Sequence, residues 1–281
     1  MIEKTAGTIG QLFEAIRQIA STWRPVVADP QELWFRGQSK RSFELLPGLY
    51  RPTVLRYHFD EPSLFVHFKT LAAPHTSSRN LDDWEWCFLA QHYGMPTRLL
   101  DWTHSLLAAT YFAMCDSILC RDRLDVDDDL QRGRVPSTFD GDSPTVWVMD
   151  AGTLNRRSCG EDILLFPGGE LTSKYLPDQL GANRDSSNEL PLALLAPRTN
   201  VRIAAQQGTF TVHGHAVKPL DMLAAEADPA LPIQIACVML DRANLAFLWD
   251  ELQLAGIDRL ALFPDLESVA THVKWRLQSA R

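Results

Sequence analysis

The sequence has 281 residues, of which 46% are hydrophobic and 22% are charged, and its formal net charge is −8. A chain of this size can bury a large core, as one large domain or two small ones. Its net negative charge argues against broad nonspecific binding to nucleic acid or membranes. Binding of such partners would require a local basic cleft. Five cysteines without a C-x-x-C pair predict reduced thiols rather than disulfides or a zinc site.

The N-terminal residues lack the layout of a signal peptide, and no apolar run approaches the roughly 18 residues that span a bilayer. We therefore expect a cytoplasmic protein with no membrane partner. The chain contains no H-E-x-x-H motif and no His/Cys ligand spacing, so we expect no metal site.

In chain order, helical periodicity and short apolar runs alternate over the first part of the sequence. The pattern predicts a helix over 8–21, a strand over 33–38 and a helix over 61–73. The chain between the first helix and the first strand is rich in turn-forming residues. We expect the first thirty residues, 1–30, to form a helical lead-in.

The next stretch delivers polar side chains at the ends of elements within an otherwise apolar segment. We expect a helix over 84–92, an extended segment over 97–102 and a helix over 106–114, with Thr103 or Ser105 as its N-cap. The polar or polar-tipped residues of this stretch are Gln91, His92, Arg98, Asp101, Trp102 and Thr103. Because an unpaired buried polar group costs roughly 1–3 kcal/mol, these side chains form either an internal hydrogen-bond network or a ligand site.

The segment 120–144 is rich in aspartate and then in Gly, Ser and Pro, which predicts an acidic exposed loop or insertion. The aspartates lack the central Gly and distal Glu of a calcium-binding loop, so a solvated surface is preferred to a calcium site.

Strands and helices also alternate in the last part of the chain. The predicted strands are 145–149, two short strands within 200–212 hinged at Gln207 and Gly208, 233–240 and 260–263; the predicted helices are 243–255 and 266–277. This mixture predicts an α+β fold, with a single compact domain over 1–281, a mixed or antiparallel sheet, and helices at its N-terminal end.

Several motifs in this order are recognisable together. They are Trp34-Phe35-Arg36-Gly37-Gln38, Leu46-Pro47-Gly48, the block QHYGMPTRLLDWT over 91–103, AQQGTF over 205–210, Gly256-Ile257 and LFPDL over 262–266. Over about 34–266 the chain resembles the FRG domain family, named for the tripeptide that is Phe35-Arg36-Gly37 here. That family is bacterial and phage-associated, so the resemblance is compatible with a toxin or a phage-defence effector.

The chain also has a looser resemblance to ADP-ribosyltransferases. These enzymes hold NAD with an Arg or His at the end of an early strand, a Ser, Thr or Tyr before a helix, and a Glu on a late strand. Here Arg36 ends an early strand, Thr103 and Ser105 precede a helix of small residues, and Gln206 and Gln207 lie on a predicted late strand. The resemblance implies an ADP-ribosyltransferase-like core that uses NAD.

Together, the polar stretch and this resemblance select two sets of site residues. The predicted catalytic residues are Arg36, His92, Asp101, Thr103 and Gln206. The predicted NAD-binding residues are Arg36, Gly37, Gln38, Arg98, Thr103 and Gln207. Glutamine cannot supply the charge of the late glutamate, which stabilises an oxocarbenium-like transition state. Either that charge comes from Glu85, Glu170 or Asp101, or the activity is weak, altered or absent.

Each of these residues also has a structural alternative. Arg36 would pair with Asp101 or Glu85, and Asp101 would hold an arginine or cap the following helix. His92 would be a core or capping histidine and Thr103 a simple N-cap, while the late glutamines would satisfy backbone groups at a strand kink.

Two functions are therefore open. The first is an NAD-dependent ADP-ribosyltransferase-like enzyme that modifies a macromolecule, either nucleic acid or protein. The second is a noncatalytic module that binds nucleic acid or a partner protein through a basic cleft. The cleft would be formed by Arg36, Lys40, Arg41, Arg51, Arg56 and Arg98, interleaved with Trp34, Phe43 and Tyr50. The oligomeric state and an inhibitory partner are left open by the sequence.

Overall fold

The protein is described by a computed structural model, which covers residues 1–23, 33–57, 60–76, 80–118, 142–182, 186–197 and 200–279. The predicted acidic segment 120–144 therefore lies outside the described residues, apart from its last three. The end of the predicted lead-in 1–30 lies outside them as well.

Within the described ranges, strands form one mixed sheet with helices on both faces, which confirms the predicted α+β class. In chain order the strands are β1 (Ile2–Ala6), β2 (Leu33–Gln38), β3 (Leu99–Thr103), β4 (Thr145–Asp150), β5 (Leu192–Leu194), β6 (Gly208–Val212) and β7 (Ile235–Leu240). Their order in the sheet is β1-β7-β4-β2-β3-β6-β5. β1 pairs with β7 in parallel, and the other neighbours are antiparallel.

The helices connect and cover these strands. In the described part of the chain the α-helices are α1 (Ile9–Trp23), α2 (Pro52–Leu55), α3 (Glu61–Ala72), α4 (Asp83–His92), α5 (Leu106–Ile118), α6 (Ala151–Cys159), α7 (Glu170–Ser173), α8 (Pro177–Ala182), α9 (Val201–Ala205), α10 (Leu220–Ala225), α11 (Leu245–Leu254), α12 (Arg259–Leu262) and α13 (Leu266–Ser279). Short 3-10 helices lie at Gly48–Tyr50, Ala73–His75, Ser186–Asn188 and Arg242–Asn244.

The sheet separates two apolar clusters, because successive side chains of a strand point to opposite faces. Phe35 of β2 joins the cluster that contains buried residues of α1, α5 and α11. Its neighbour Trp34 joins the cluster on the other face, together with Trp102 and Trp147. The middle of the sheet is thus buried on both faces, and polar groups there need partners within the protein.

Helix α5 lies directly against β2 at Gly37. A Cβ atom placed on Gly37 would overlap the carbonyl oxygen of Ala109 and the main-chain nitrogen of Ala113. Gly37 is one of the residues that the sequence predicts to bind NAD. The structure gives it a packing role, because the small residues of α5 bring the helix backbone onto the strand at this point.

Three sequence predictions of secondary structure are wrong. The chain begins with β1 rather than with a helix; this short strand pairs at one edge of the sheet. The region before Gln207 is helix α9, because the Asn200 side chain caps it by accepting from the main-chain nitrogen of Arg202. Residues 259–262 form helix α12 rather than a strand, because Asp258 caps that helix in the same way.

The described helices include none with the combination of length and hydropathy that crossing a bilayer would require.

Candidate functional site

A cavity of about 400 Å³ lies where β2, β3 and β6 meet the ends of α4 and α9. Its polar lining side chains are Arg36, Gln91, His92, Asp101, Thr103, Arg202, Gln206 and Thr209, and its aromatic ones are Phe35, Phe88, Trp102, Phe112 and Phe210. The five residues predicted as catalytic, Arg36, His92, Asp101, Thr103 and Gln206, all line this one cavity. Their convergence is a structural finding, while their chemical roles stay predictions.

The cavity lies where the sheet opens between β2 and β3. Within the described residues these two strands pair at one register position, Phe35 with Thr103, whereas Thr103 also pairs with Gly208 of β6. Beyond that position the Arg36 side chain bridges the gap, since its Nη1 donates a 2.7 Å hydrogen bond to the main-chain carbonyl of Asp101. The opening between the strands leaves room for the cavity and fixes the guanidinium beside it.

The Asp101 carboxylate is held by two neighbours but stays accessible. Its Oδ2 accepts a 2.9 Å hydrogen bond from Nε2 of Gln91 and lies 3.8 Å from Nη1 of Arg36. The Asp101 side chain is 58% exposed, compared with 15% for Arg36. The structural alternative of an Arg36–Asp101 pair is therefore present, and it presents the carboxylate at the cavity rather than burying it.

Thr103 joins the end of β3 to the segment that precedes β6. Its Oγ1 donates a 2.6 Å hydrogen bond to the main-chain carbonyl of Gln206 and accepts one of 2.9 Å from the main-chain nitrogen of Ser105. The Ser105 hydroxyl in turn accepts from the main-chain nitrogen of Ala108 in the first turn of α5. Ser105 thus caps α5 by its side chain, and Thr103 supports that cap.

Gln206 does not lie on a strand, as the sequence predicted, but at the C-terminal end of α9. Its Nε2 donates a 3.1 Å hydrogen bond to the main-chain carbonyl of Leu262. The amide is therefore anchored to α12, and its oxygen is the atom available to a ligand.

His92 ends α4 and is partly buried at the cavity. Burial, and to a lesser degree the positive charge of Arg202, lower the pKa of this imidazole from its ordinary value. Near neutral pH His92 is therefore the neutral form, which can accept a proton.

Arg202 of α9 is a cavity residue that the sequence analysis missed. Its guanidinium lies over the ring of Phe263, 4.4 Å from the ring centroid. Burial lowers its pKa, while the carboxylates of Asp101 and Asp265 act in the opposite direction. The signal that could have identified Arg202 is Asn200, a common helix N-cap residue, which indicates that the residues after it begin a helix rather than a strand.

Part of the chain matches a known protein family. Residues 31–119 match the family model of the FRG domain. This match supports the family resemblance for the segment that contains β2, α4 and β3. Arg36, His92, Asp101 and Thr103 lie inside the FRG match, and Arg202 and Gln206 lie beyond it.

No curated protein and no solved structure matches the chain.

Three residues predicted to bind NAD lie outside the cavity. Gln38 is buried; its Oε1 accepts from Nε1 of Trp147 and its Nε2 donates to the Glu44 carbonyl. Gln207 is an exposed residue with φ of 48°, and it lies at the turn between α9 and β6. The Gln38 side chain therefore serves the local structure, and Gln207 forms the turn through its backbone, whose nitrogen donates to the Ala204 carbonyl.

Arg98, the third of these residues, is 3% exposed and lies within the fold. Its Nε donates to both carboxylate oxygens of Glu61, at 2.8 and 2.9 Å. Its terminal nitrogens donate to the main-chain carbonyls of His213 and Tyr175. Although Arg98 belongs to the FRG match, these contacts are those of a structural arginine that ties α3 to the end of β6.

The alternative basic cleft is not assembled as the sequence suggested. Trp34 is fully buried and Tyr50 is 8% exposed, so neither ring is available for stacking on a base. Arg98 is enclosed, and Arg41 lies over Trp147 while its Nη2 is 2.5 Å from a Glu3 carboxylate oxygen. Binding to nucleic acid through this set of residues therefore lacks a continuous surface, and the binding module stays a prediction.

The described residues contain no group of three or more His, Cys, Asp or Glu side chains that could hold a metal ion.

Proposed function

We propose that the cavity binds NAD and that the protein transfers ADP-ribose from NAD to a macromolecule, either nucleic acid or protein. The observation that carries this proposal is the convergence of three distant segments. Arg36 of β2, Thr103 of β3 and Gln206 before β6 meet around one cavity, and their strands are consecutive in the sheet. This is the order of elements on which the resemblance to ADP-ribosyltransferases rests.

The lining suits a nucleotide in size and chemistry. Its volume of about 400 Å³ is within the roughly 300–1,000 Å³ typical of small-molecule sites. Guanidinium groups match phosphate oxygens with their planar set of donors, and the phenylalanine rings supply apolar walls for a ring system. The amide of Gln91 or Gln206 and the Thr103 oxygen can bind hydroxyl groups of a ribose.

In this proposal Asp101 supplies the negative charge that a glutamate provides in ADP-ribosyltransferases and that Gln206 lacks. Among the residues that line the cavity, Asp101 is the one carboxylate. Glu85 instead belongs to the capping box with Asp82 at the opposite end of α4, and Glu170 begins α7 away from the cavity lining. A carboxylate at this place would stabilise the positive charge that develops on the ribose as nicotinamide departs.

In the proposed reaction, the bond between ribose C1′ and the nicotinamide nitrogen breaks, and nicotinamide leaves with the bonding electron pair. A hydroxyl or amine of the acceptor forms the new bond to C1′ and loses one proton. The neutral imidazole of His92 is the group positioned at the cavity to accept that proton. The products are nicotinamide, the ADP-ribosylated acceptor and a proton.

The proposal is tested with the purified full chain, NAD labelled in its adenylate part, and bacterial lysate, RNA or DNA as acceptor. We expect NAD binding by calorimetry and transfer of label to a macromolecule. Asp101→Asn should retain NAD binding and lose most of the transfer, because it keeps the shape but removes the charge. Arg17→Ala, at a side chain 77% exposed on α1, is the matched surface control.

If the folded protein neither binds NAD nor transfers label, the proposal is wrong. A toxin or phage-defence role extends the same proposal, and it predicts that expression arrests bacterial growth. In that assay Asp101→Asn should relieve the arrest at equal protein levels, and arrest that persists would separate toxicity from transfer.

A further inference from the structure

Arg202 differs from the other arginines around the cavity in its lack of an acceptor. Its guanidinium makes neither a hydrogen bond nor an ion pair with any residue that the structure describes, although it is partly buried and held over Phe263. Arg259 approaches the same ring, at 5.4 Å from the centroid, and has an ion pair with Glu267 at 3.3 Å. Arg36 donates to Asp101. Arg202 therefore presents its donors to the cavity.

Burial removes part of the water around the Arg202 guanidinium, so an acceptor supplied by a ligand would be favourable there. The Asp101 carboxylate is already engaged by Gln91 and lies beside Arg36. The Asp265 carboxylate also acts on Arg202, but it accepts from the main-chain nitrogen of Ser268 and does not line the cavity. The cavity lining thus combines two guanidinium groups with a single carboxylate, and His92 adds no charge near neutral pH. Its excess positive charge calls for an anionic group on the ligand.

The two guanidinium groups come from different walls, Arg36 from β2 and Arg202 from α9. A single phosphate satisfies one planar donor set well, whereas two linked phosphates offer acceptors in two directions. We infer that Arg202 is a ligand-binding residue that holds a diphosphate group together with Arg36. The site therefore takes nucleoside diphosphates and dinucleotides in preference to nucleosides and monophosphates.

This inference rests on the proposed function for the identity of NAD as the natural ligand, but its test does not need transfer. The binding of ADP, AMP and adenosine to the full chain is measured by calorimetry. ADP has no nicotinamide to lose, so its binding is independent of transfer, and comparison with AMP isolates the contribution of the second phosphate. We expect ADP to bind at least about tenfold more tightly than AMP, as one additional charge-assisted contact would produce.

The decisive variant is Arg202→Gln, with Arg259→Gln as its matched control because Arg259 shares the Phe263 ring without lining the cavity. Arg202→Gln should lower the affinity for ADP by about tenfold or more and leave the affinity for adenosine unchanged. Arg259→Gln should leave both affinities unchanged. Arg202→Lys, which keeps the charge and loses the planar donor set, should lie between wild type and Arg202→Gln.

Equal affinity of the wild type for ADP and AMP would overturn the inference, as would an Arg202→Gln variant that binds ADP normally. If Arg202→Gln does not fold, Arg202→Lys is compared with wild type on the same ligands, and an unchanged preference for ADP overturns the inference. ADP binding that depends on Arg202, without any label transfer from NAD, would support this inference and remove the proposed function. Label transfer from NAD, together with ADP binding that does not depend on Arg202, would support the proposed function and overturn this inference.

Discussion

The hydroxyl of Thr103 donates a 2.6 Å hydrogen bond to the main-chain carbonyl of Gln206, so its proton is already used within the protein. Its oxygen also accepts from the main-chain nitrogen of Ser105. A hydroxyl oxygen has two acceptor positions, and one remains. Thr103 can therefore accept a hydrogen bond from a ribose hydroxyl but cannot donate one. As a predicted NAD-binding residue it can act only as an acceptor.

The same bond predicts a difference between two substitutions of Thr103. Thr103→Val removes the hydroxyl and leaves the Gln206 carbonyl and the Ser105 nitrogen without this partner, so we expect a loss of about 1–3 kcal/mol in the free energy of unfolding. Thr103→Ser keeps the hydroxyl and should lose less than about 1 kcal/mol. Urea unfolding measures both. Equal stability of the two variants would mean that the bond contributes nothing.

Gly37 predicts a stability effect of a different origin. Gly37→Ala would push the new methyl group into the backbone of α5, so we expect a loss of at least about 1–3 kcal/mol, as overpacking of a core produces. The control is Gly10→Ala in α1, where the new Cβ would meet only the Thr8 hydroxyl at 3.8 Å. Because alanine favours a helix by up to about 1 kcal/mol over glycine, this control should stabilise the protein.

Thermal and urea unfolding of both glycine variants provide the measurement. A Gly37→Ala protein as stable as wild type would show that α5 can move away from β2 without cost. In that case the glycine of the Phe-Arg-Gly tripeptide would be needed for the ligand, as the sequence analysis first suggested.

Arg98 and Arg36 should respond in opposite ways to substitution. Arg98→Met leaves the Glu61 carboxylate and two carbonyls without their donor, so we expect a loss of about 3–5 kcal/mol in the free energy of unfolding. Arg36→Ala should lower NAD affinity by about tenfold or more with a smaller stability loss of up to about 2 kcal/mol. Arg17→Ala is the exposed control for both.

Urea unfolding and calorimetry with NAD are measured on the same preparations. If Arg98→Met folds as stably as wild type and loses NAD affinity, Arg98 binds the ligand and the structural assignment is wrong.

His213 predicts a pH dependence of stability. The imidazole is fully buried next to Tyr50, and neither ring nitrogen has a hydrogen-bond partner among the described residues. Burial, followed by the charge of Arg98, lowers the pKa of His213 from 6.5 to about 3. The unfolded chain therefore takes up a proton below about pH 6.5 that the folded chain does not bind until about pH 3.

Because the unfolded state binds more protons in this window, the free energy of unfolding falls as pH decreases, by up to about 1.4 kcal/mol per pH unit. His213→Leu removes this contribution. We expect the variant to gain on wild type by about 1 kcal/mol between pH 7 and pH 5.5, measured by urea unfolding at both values. Parallel losses in the two proteins would show that His213 is not responsible.

The sequence was sufficient to predict the α+β class and most of the longer elements, because their apolar spacing is strong. It failed at β1 and at α9. In β1 only Ala6 is fully buried, so the strand lacks a clear apolar face. Helix α9 has five residues, too few for helical periodicity to show, and Val201 and Ile203 favour a strand by their branched side chains.

The candidate site was predictable where its residues lie close together in sequence and carry a recognisable motif. His92, Asp101 and Thr103 follow one another through α4 and β3, and all reach the cavity. Arg98 belongs to the same block but precedes β3 and points into the fold, where it pairs with Glu61. Arg202 was missed because its helix was interpreted as a strand. Sequence spacing cannot by itself distinguish a ligand-binding arginine from a structural one.

The parallel pairing of β1 with β7 has a consequence for the synthesis of the protein. During synthesis β1 leaves the ribosome long before its partner residues 236–240. Until then both β1 and β4 have an unpaired flank, since β7 lies between them in the finished sheet. Exposed strand flanks invite association with other chains. The flanks of β1 and β4 are therefore open to association with other chains until β7 inserts between them.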